Sequence, residues 1–118
     1  MISVPGIYAA DEIETALDNN LHAFVFSDNV SKEDEVRLKK KAHEKGLLVM
    51  GPDCGTGIVS NVPMAFTNVV KPGNIGIVGA SGTGIQEVTT IIDRLGGGVI
   101  HAIGTGDATC QMKLARSR

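Results

Sequence analysis

Two hydroxyl side chains stand inside a glycine-rich turn. Ser81 and Thr83 belong to Gly79-Ala-Ser-Gly-Thr-Gly84, between an apolar run, Ile75 to Val78, and an amphipathic one. Small residues such as Gly82 let the backbone come close to an anion, and the hydroxyls add donors. If a helix starts here, its free N–H groups and its dipole point at the same place. That is the chemistry of phosphate binding. No Gly-Lys-Ser/Thr closes the turn, and the glycine spacing is not GxGxxG. A blander reading uses the same residues: the glycines pack a helix tightly on a strand and Ser81 caps it. The residues alone leave both open.

Two further polar clusters follow apolar runs. Ser27-Asp28-Asn29 end the run that starts at His22, and Gly51-Pro-Asp-Cys-Gly-Thr-Gly57 end the run Leu47 to Met50. Open α/β sheets bind ligands at the carboxyl ends of their strands. Ser27 to Asn29 also suit an ordinary polar turn. Asp53 and Cys54 could be catalytic, and Cys54 could equally be a buried small thiol. His22 reads as a strand cap, His43 as a solvated helix residue and His101 as a strand-core residue. None is a base placed to activate Cys54, so no catalytic residue and no metal set is assigned.

These turns need strands and helices to carry them. Ile2 to Val4 reads as a strand remnant ended by Pro5-Gly6. Ala9 to Leu17 reads as a helix with Ala9, Ile13, Ala16 and Leu17 on one face. His22 to Ser27 is apolar on both faces, which is the pattern of a parallel strand. Ser31-Lys-Glu-Asp34 is a capping signal for a helix that runs to Lys45 and leaves through Gly46. Its apolar face is thin: Val36, Leu38 and Ala42. Residues 53–72 lack clean periodicity and read as a connector, with a short strand near 65–68. A helix from Thr83 to Leu95 puts Ile85, Val88, Ile91, Ile92 and Leu95 on one face, and Val99 to Ile103 is the last strand. Parallel strands are expected at 23–27, 47–50, 75–78 and 99–103. The fold class is α/β, in two units.

Composition narrows the partners. A formal charge of -2 argues against nucleic acid. Lys39, Lys40 and Lys41 lie among Glu33, Asp34, Glu35 and Glu44 and read as a solvated helix face. Fifteen glycines in 118 residues exceed the ~7% of ordinary domains and suit tight strand-to-helix turns. No run approaches the ~20 apolar residues of a membrane span. The N-terminus lacks a basic region and a long apolar stretch. The expectation is a cytoplasmic protein with free thiols at Cys54 and Cys110.

Four segments together carry a family resemblance. Ser-Val-Pro-Gly-Ile-Tyr-Ala-Ala at 3–10, Phe-Ser-Asp-Asn-Val-Ser at 26–31, Gly-Pro-Asp-Cys-Gly-Thr at 51–56 and Gly-Asn-Ile-Gly-Ile-Val-Gly-Ala-Ser-Gly-Thr-Gly at 73–84 resemble, in order and spacing, the alpha subunit of succinyl-CoA synthetase and FdrA-type acyl-CoA synthetase-like proteins. The resemblance implies a Rossmann-like CoA-binding domain, of which residues 1–60 are the C-terminal part. It implies a connector at 61–72 and the N-terminal part of a flavodoxin-like ligase domain at 73–106. Residues 107–118 match nothing in the family and are expected to be disordered.

The resemblance also implies site residues. Phe26, Ser27 and Asp28 would touch coenzyme A, with Asn29 replacing a family glycine, Asp28 a glutamate and Asp53 an asparagine. Ser81, Gly82 and Thr83 would open the helix that faces a phosphohistidine, with phosphate or nucleotide bound in the intact family. The coenzyme A loop is expected before Met1 and the phosphorylated histidine beyond Ile103. A truncated acid–thiol ligase piece, inactive alone, is therefore expected, with a beta-type subunit or self-association as partner. The alternatives are an FdrA-type protein linked to carbamoyl transfer in ureide or oxamate breakdown, and a non-catalytic binding fragment.

Overall fold

The computed structural model describes residues 1–106. The expectation for 107–118 falls outside them. The chain divides into two compact units, Met1–Cys54 and a second that begins at Gly55.

In the first unit, helix α1 (Gly6–Asp18) leads to strand β1 (Ala23–Phe24), helix α2 (Lys32–Glu44) and strand β2 (Val49–Met50). β1 and β2 are parallel, with Ala23 opposite Val49. Ile2 adds a parallel bridge to Val25 on the other side. The run from residue 23 is buried without alternation: Ala23, Phe24 and Val25 are all inside. The core joins Ile13 and Leu17 of α1, Leu38 and Ala42 of α2, and Ala23 and Val25. It is aliphatic, as a chain with 3% aromatics must make it.

The helix signals act locally. Ser31 Oγ accepts the Asp34 N–H at 3.1 Å and donates its own proton to Asp34 Oδ2 at 2.8 Å. Gly46 leaves α2 with φ +68°, the left-handed exit that glycine favours. Val36 is exposed, and Glu35 is buried in its place beside Lys39. Lys41 pairs with Glu14 and Asp18, and Arg37 with Glu14. Two members of the basic run, Lys39 and Lys41, are thus ion-paired to acids.

The second unit holds a four-stranded sheet in the order β4-β3-β6-β5. Its strands are β3 (Gly57–Val59), β4 (Val62–Pro63), β5 (Pro72–Gly79) and β6 (Val99–Gly104), with helix α3 (Gly82–Arg94) between the last two. β5 and β6 are parallel. β3 is antiparallel to both β4 and β6. The expected all-parallel arrangement is therefore corrected to a mixed sheet.

The physical reason is the β3–β4 hairpin. Ser60 and Asn61 turn it with φ +50° and +67°. Two central residues with positive φ match the right-handed twist of the flanking strands. Strands of three and two residues carry no readable alternation, so 57–63 read as connector instead. The strand expected near 65–68 is absent.

α3 lies on the sheet through Ile85, which joins Ile58, Val99 and Ala102 in one cluster, and Ile92 packs against that cluster. The single apolar face expected for α3 is split. Ile85, Thr89 and Ile92 face inward, whereas Val88, Ile91 and Leu95 are exposed on one flank. Among the described residues, no helix is long and apolar enough to cross a membrane.

Candidate functional site

The sequence-predicted residues fall into two places, one in each unit. In the first unit, Ser3, Val4, Pro5, Phe26, Ser27, Asp28 and Asp53 line a depression of about 280 Å³. These residues follow Ile2, β1 and β2, so the depression lies at the carboxyl edge of the parallel segments. α1 starts beside it, with Pro5 as N-cap, no capping side chain and no acid in its first turn. Its positive end is not neutralised by its own residues.

Ser27 is committed. Its hydroxyl accepts the Val4 N–H at 3.0 Å and donates to the Val4 carbonyl at 2.6 Å. It ties the end of the first strand segment to the end of β1. The Asp53 N–H in turn donates to the Ser27 carbonyl at 2.9 Å. Phe26, 37% exposed, lines the depression. Asp28 and Asp53 bring two carboxylates to it.

The backbone around this depression is tightly set. Gly51 has φ +97°, and a Cβ there would lie 2.3 Å from the Val25 carbonyl oxygen. A Cβ on Gly6 would lie 2.3 Å from the Asp28 carbonyl oxygen. Asn29 has φ +55°. Asparagine is among the few side-chain-bearing residues that visit this region readily. Asn29 can therefore hold the turn as glycine would. Cys54 is fully buried, the blander of its two readings.

In the second unit, Ser81, Gly82 and Thr83 sit where β5 hands over to α3. Ser81 Oγ accepts the Gly84 N–H at 3.1 Å and lies 3.3 Å from Thr83 Oγ1. The capping role of Ser81 is present. Helix geometry leaves the N–H groups of Gly82 and Thr83 for an acceptor outside the helix, so the cap does not use up the donors of this turn.

Two residues missed in the sequence hold that turn in place. Thr56 Oγ1 donates to the Gly82 carbonyl at 3.3 Å and accepts from Gln86 Nε2 at 3.1 Å. Gln86 Nε2 also donates to the Phe66 carbonyl at 3.0 Å. Asn68 Nδ2 donates to the Gln86 carbonyl at 3.2 Å and bonds Thr90 Oγ1. Thr56 ends the Gly-Pro-Asp-Cys-Gly-Thr segment, which gave a signal for position. Gln86 gave none.

The histidines stay apart. His22 Nδ1 accepts the Leu48 N–H at 3.0 Å, and His101 Nδ1 accepts the Ser60 N–H at 3.1 Å. His43 is exposed on α2. His22 and His43 thus match the roles expected of them, strand cap and solvated helix residue, whereas His101 is a half-buried strand residue outside the core rather than the strand-core residue expected.

Small α/β units with parallel strands and polar turns at their carboxyl edges define the class: an α/β fold. The relatives narrow it. The chain is 56% identical over 114 residues to the uncharacterised protein YahF of Escherichia coli K12, covering 97% of this chain and 22% of that protein. It is 31% identical to the succinate–CoA ligase [ADP-forming] subunit alpha 2 of Archaeoglobus fulgidus, covering 90% of this chain and 38% of that subunit. No family model matches.

Solved structures agree on the fold. An acetyl-coenzyme A synthetase of Ca. Korarchaeum cryptofilum, solved with phosphate and ADP, superposes with a TM-score of 0.76 at 21% identity, over 92% of this chain and 25% of that one. The ATP citrate lyase of Methanothrix soehngenii, solved with citrate and coenzyme A, gives 0.77 at 19% identity, over 87% of this chain and 19% of that one. Over 90% of its length the chain is similar to the alpha subunit of a succinate–CoA ligase. It spans about a fifth to two-fifths of the length of these curated relatives.

Proposed function

We propose that this chain supplies two ligand-facing parts of an acid–thiol ligase: a coenzyme A contact at Phe26, Ser27 and Asp28, and a phosphoryl contact at Ser81, Gly82 and Thr83. The observation that carries the reading is the Ser81-capped start of α3. Two backbone N–H groups are left there for an acceptor, and Thr56 and Gln86 hold the turn from behind. A dianionic phosphoryl group suits such donors and the positive helix end. In the ligation the acid's carboxylate is activated as an acyl phosphate, and the thiol sulfur displaces phosphate to form the thioester.

The first-unit depression fits one portion of coenzyme A better than another. Asp28 and Asp53 repel phosphates, yet they suit amide N–H and hydroxyl groups. The apolar ring of Phe26 suits a methylene chain. The pantetheine arm therefore belongs at Phe26 to Asp28, and Ser27 acts by holding Val4 rather than by touching the ligand with a free hydroxyl. Residues 1–60 and 73–106 would contribute to the CoA-binding and ligase domains respectively.

Turnover by this chain alone is not proposed. Its histidines are placed for structure, and a phosphorylated nucleophile must come from elsewhere. A beta-type subunit is the natural partner of an alpha-type relative. FdrA-type carbamoyl chemistry is the second reading. It would use the same phosphoryl turn.

Amide chemical shifts during titration with inorganic phosphate, coenzyme A and carbamoyl phosphate test the reading. Phosphate is expected to move residues 80–84, and coenzyme A residues 26–29. Phosphate shifts confined to 27–29 or 51–57 would refute the assignment of Ser81 to Thr83. Carbamoyl phosphate binding far tighter than phosphate, with no response to coenzyme A, would favour the second reading.

A further inference from the structure

The Thr56 hydroxyl reaches the first turn of α3 from a fixed platform. Thr56 is 2% exposed. Its carbonyl accepts the Gly104 N–H at 3.2 Å, and the carbonyl of Gly55 accepts the Phe66 N–H at 3.0 Å. The backbone that carries the hydroxyl is therefore tied to β6 and to the segment after β4. A Cβ built on Gly82 would lie 3.1 Å from Thr56 Oγ1, so Thr56 packs directly on that residue.

The direction of the Thr56 proton follows from its neighbours. The Phe66 carbonyl can only accept, so the Gln86 atom 3.0 Å from it is the amide nitrogen. That nitrogen can only donate, so Thr56 Oγ1 accepts from it at 3.1 Å. The hydroxyl has one proton, and it goes to the Gly82 carbonyl at 3.3 Å. Helix geometry gives that carbonyl one ladder bond, and its second lone pair is open to Thr56. Helix ends fray. The second bond limits the tilt of the peptide unit between Gly82 and Thr83.

A peptide unit is planar and trans, so its C=O and N–H point opposite ways. The unit whose carbonyl faces Thr56 is the one whose N–H belongs to Thr83. We propose that Thr56, directed by Gln86, is a positioning residue that aims and polarises the Thr83 N–H toward a phosphoryl oxygen; this rests on the phosphoryl contact proposed above. The Gly82 N–H belongs to a different unit, whose Ser81 carbonyl accepts the Ile85 N–H at 3.0 Å. Thr56 thus acts on one donor of the turn and not on the other. Its bond to Gly82 is long for a hydroxyl donor. An anion that accepts from Thr83 makes the Gly82 oxygen more negative and tightens that bond.

Titration with inorganic phosphate at constant ionic strength tests this in the wild type, Thr56→Val, Thr56→Ser and Gln86→Met. The readout is amide and carbonyl chemical shifts extrapolated to saturation, with circular dichroism to confirm folding. In the wild type the Gly82 and Thr83 amides and the Gly82 carbonyl are expected to move. In Thr56→Val the Thr83 amide and Gly82 carbonyl responses are expected to shrink while the Gly82 amide response persists. Affinity is expected to fall roughly 3-fold to 10-fold, as for a charge-assisted hydrogen bond that is loosened rather than lost. Thr56→Ser keeps the hydroxyl and is expected to respond as the wild type. Gln86→Met leaves the hydroxyl proton undirected and is expected to give a milder loss, again at Thr83, so the comparison survives if Thr56→Val folds poorly. A Thr83 response intact in both Thr56→Val and Gln86→Met would overturn this proposal and leave the phosphoryl reading standing. So would Gly82 and Thr83 amide responses lost together in a folded variant, or a Thr56→Ser protein that behaves as Thr56→Val. A wild type with no response at either amide would overturn the phosphoryl reading, and this proposal with it.

Discussion

Thr56 and Gly82, 26 residues apart, are joined by a hydrogen bond from the threonine hydroxyl to the glycine carbonyl at 3.3 Å. Because the same hydroxyl accepts from Gln86, one buried side chain orients the first turn of α3. Replacing Thr56 by Val keeps the shape and removes both bonds. A loss of about 1–2 kcal/mol follows from leaving the Gln86 amide without one partner. The urea midpoint is expected to fall with an unchanged slope, while Thr56→Ser keeps most of the stability.

Ser31 and Ser81 make the same kind of cap, to Asp34 N–H and Gly84 N–H respectively. Each change to Ala is expected to lower stability by about 1 kcal/mol. The two should differ in ligand response. Ser81→Ala is expected to weaken phosphate-induced shifts at residues 80–84, and Ser31→Ala to leave them unchanged. Equal loss in both variants would show that capping stability alone governs the response.

Gly6 has no room for a side chain. The Cβ of Gly6→Ala would meet the Asp28 and Asn29 carbonyl oxygens at 2.3 and 2.7 Å, and backbone cannot move as a flexible side chain does. A destabilisation of about 2–3 kcal/mol is expected, read from denaturant unfolding. Amide shifts at 26–29 should move as well, because the turn that lines the depression must yield. Gly46→Ala, whose Cβ meets nothing, is expected to cost only about 1 kcal/mol, through its positive φ.

Acid should weaken the α1–α2 contact. Glu14 is held below the usual carboxylate range by its bonds to Lys41 and then Arg37. Asp34 is held down by Ser31 and then Arg37. A depressed folded-state pKa gives stability that is fully present above the unfolded value. That stability is lost as pH falls through the folded one. The thermal midpoint is therefore expected to hold from neutral pH to about pH 5 and to fall below about pH 4. Glu14→Gln should shrink that fall. Because both carboxylates face water, added salt should shrink it further; a midpoint that rises in acid would contradict the sign.

The sequence by itself determined what depends on near neighbours. α2 begins at Ser31 and exits through Gly46, α3 begins at Ser81, and the apolar runs at 23, 49, 75 and 99 become parallel pairs. Caps act within one helical turn, and buried strands announce themselves by continuous apolarity. The tertiary structure decided what depends on distant partners. Ser27 serves Val4 across 23 residues, and Gln86 reaches Thr56 across 30. β3 turns the sheet antiparallel through a hairpin of Ser60 and Asn61, whose strands of three and two residues are too short to show alternation. A hydroxyl or an amide has many possible partners, and only the packed chain brings one of them within 3.5 Å.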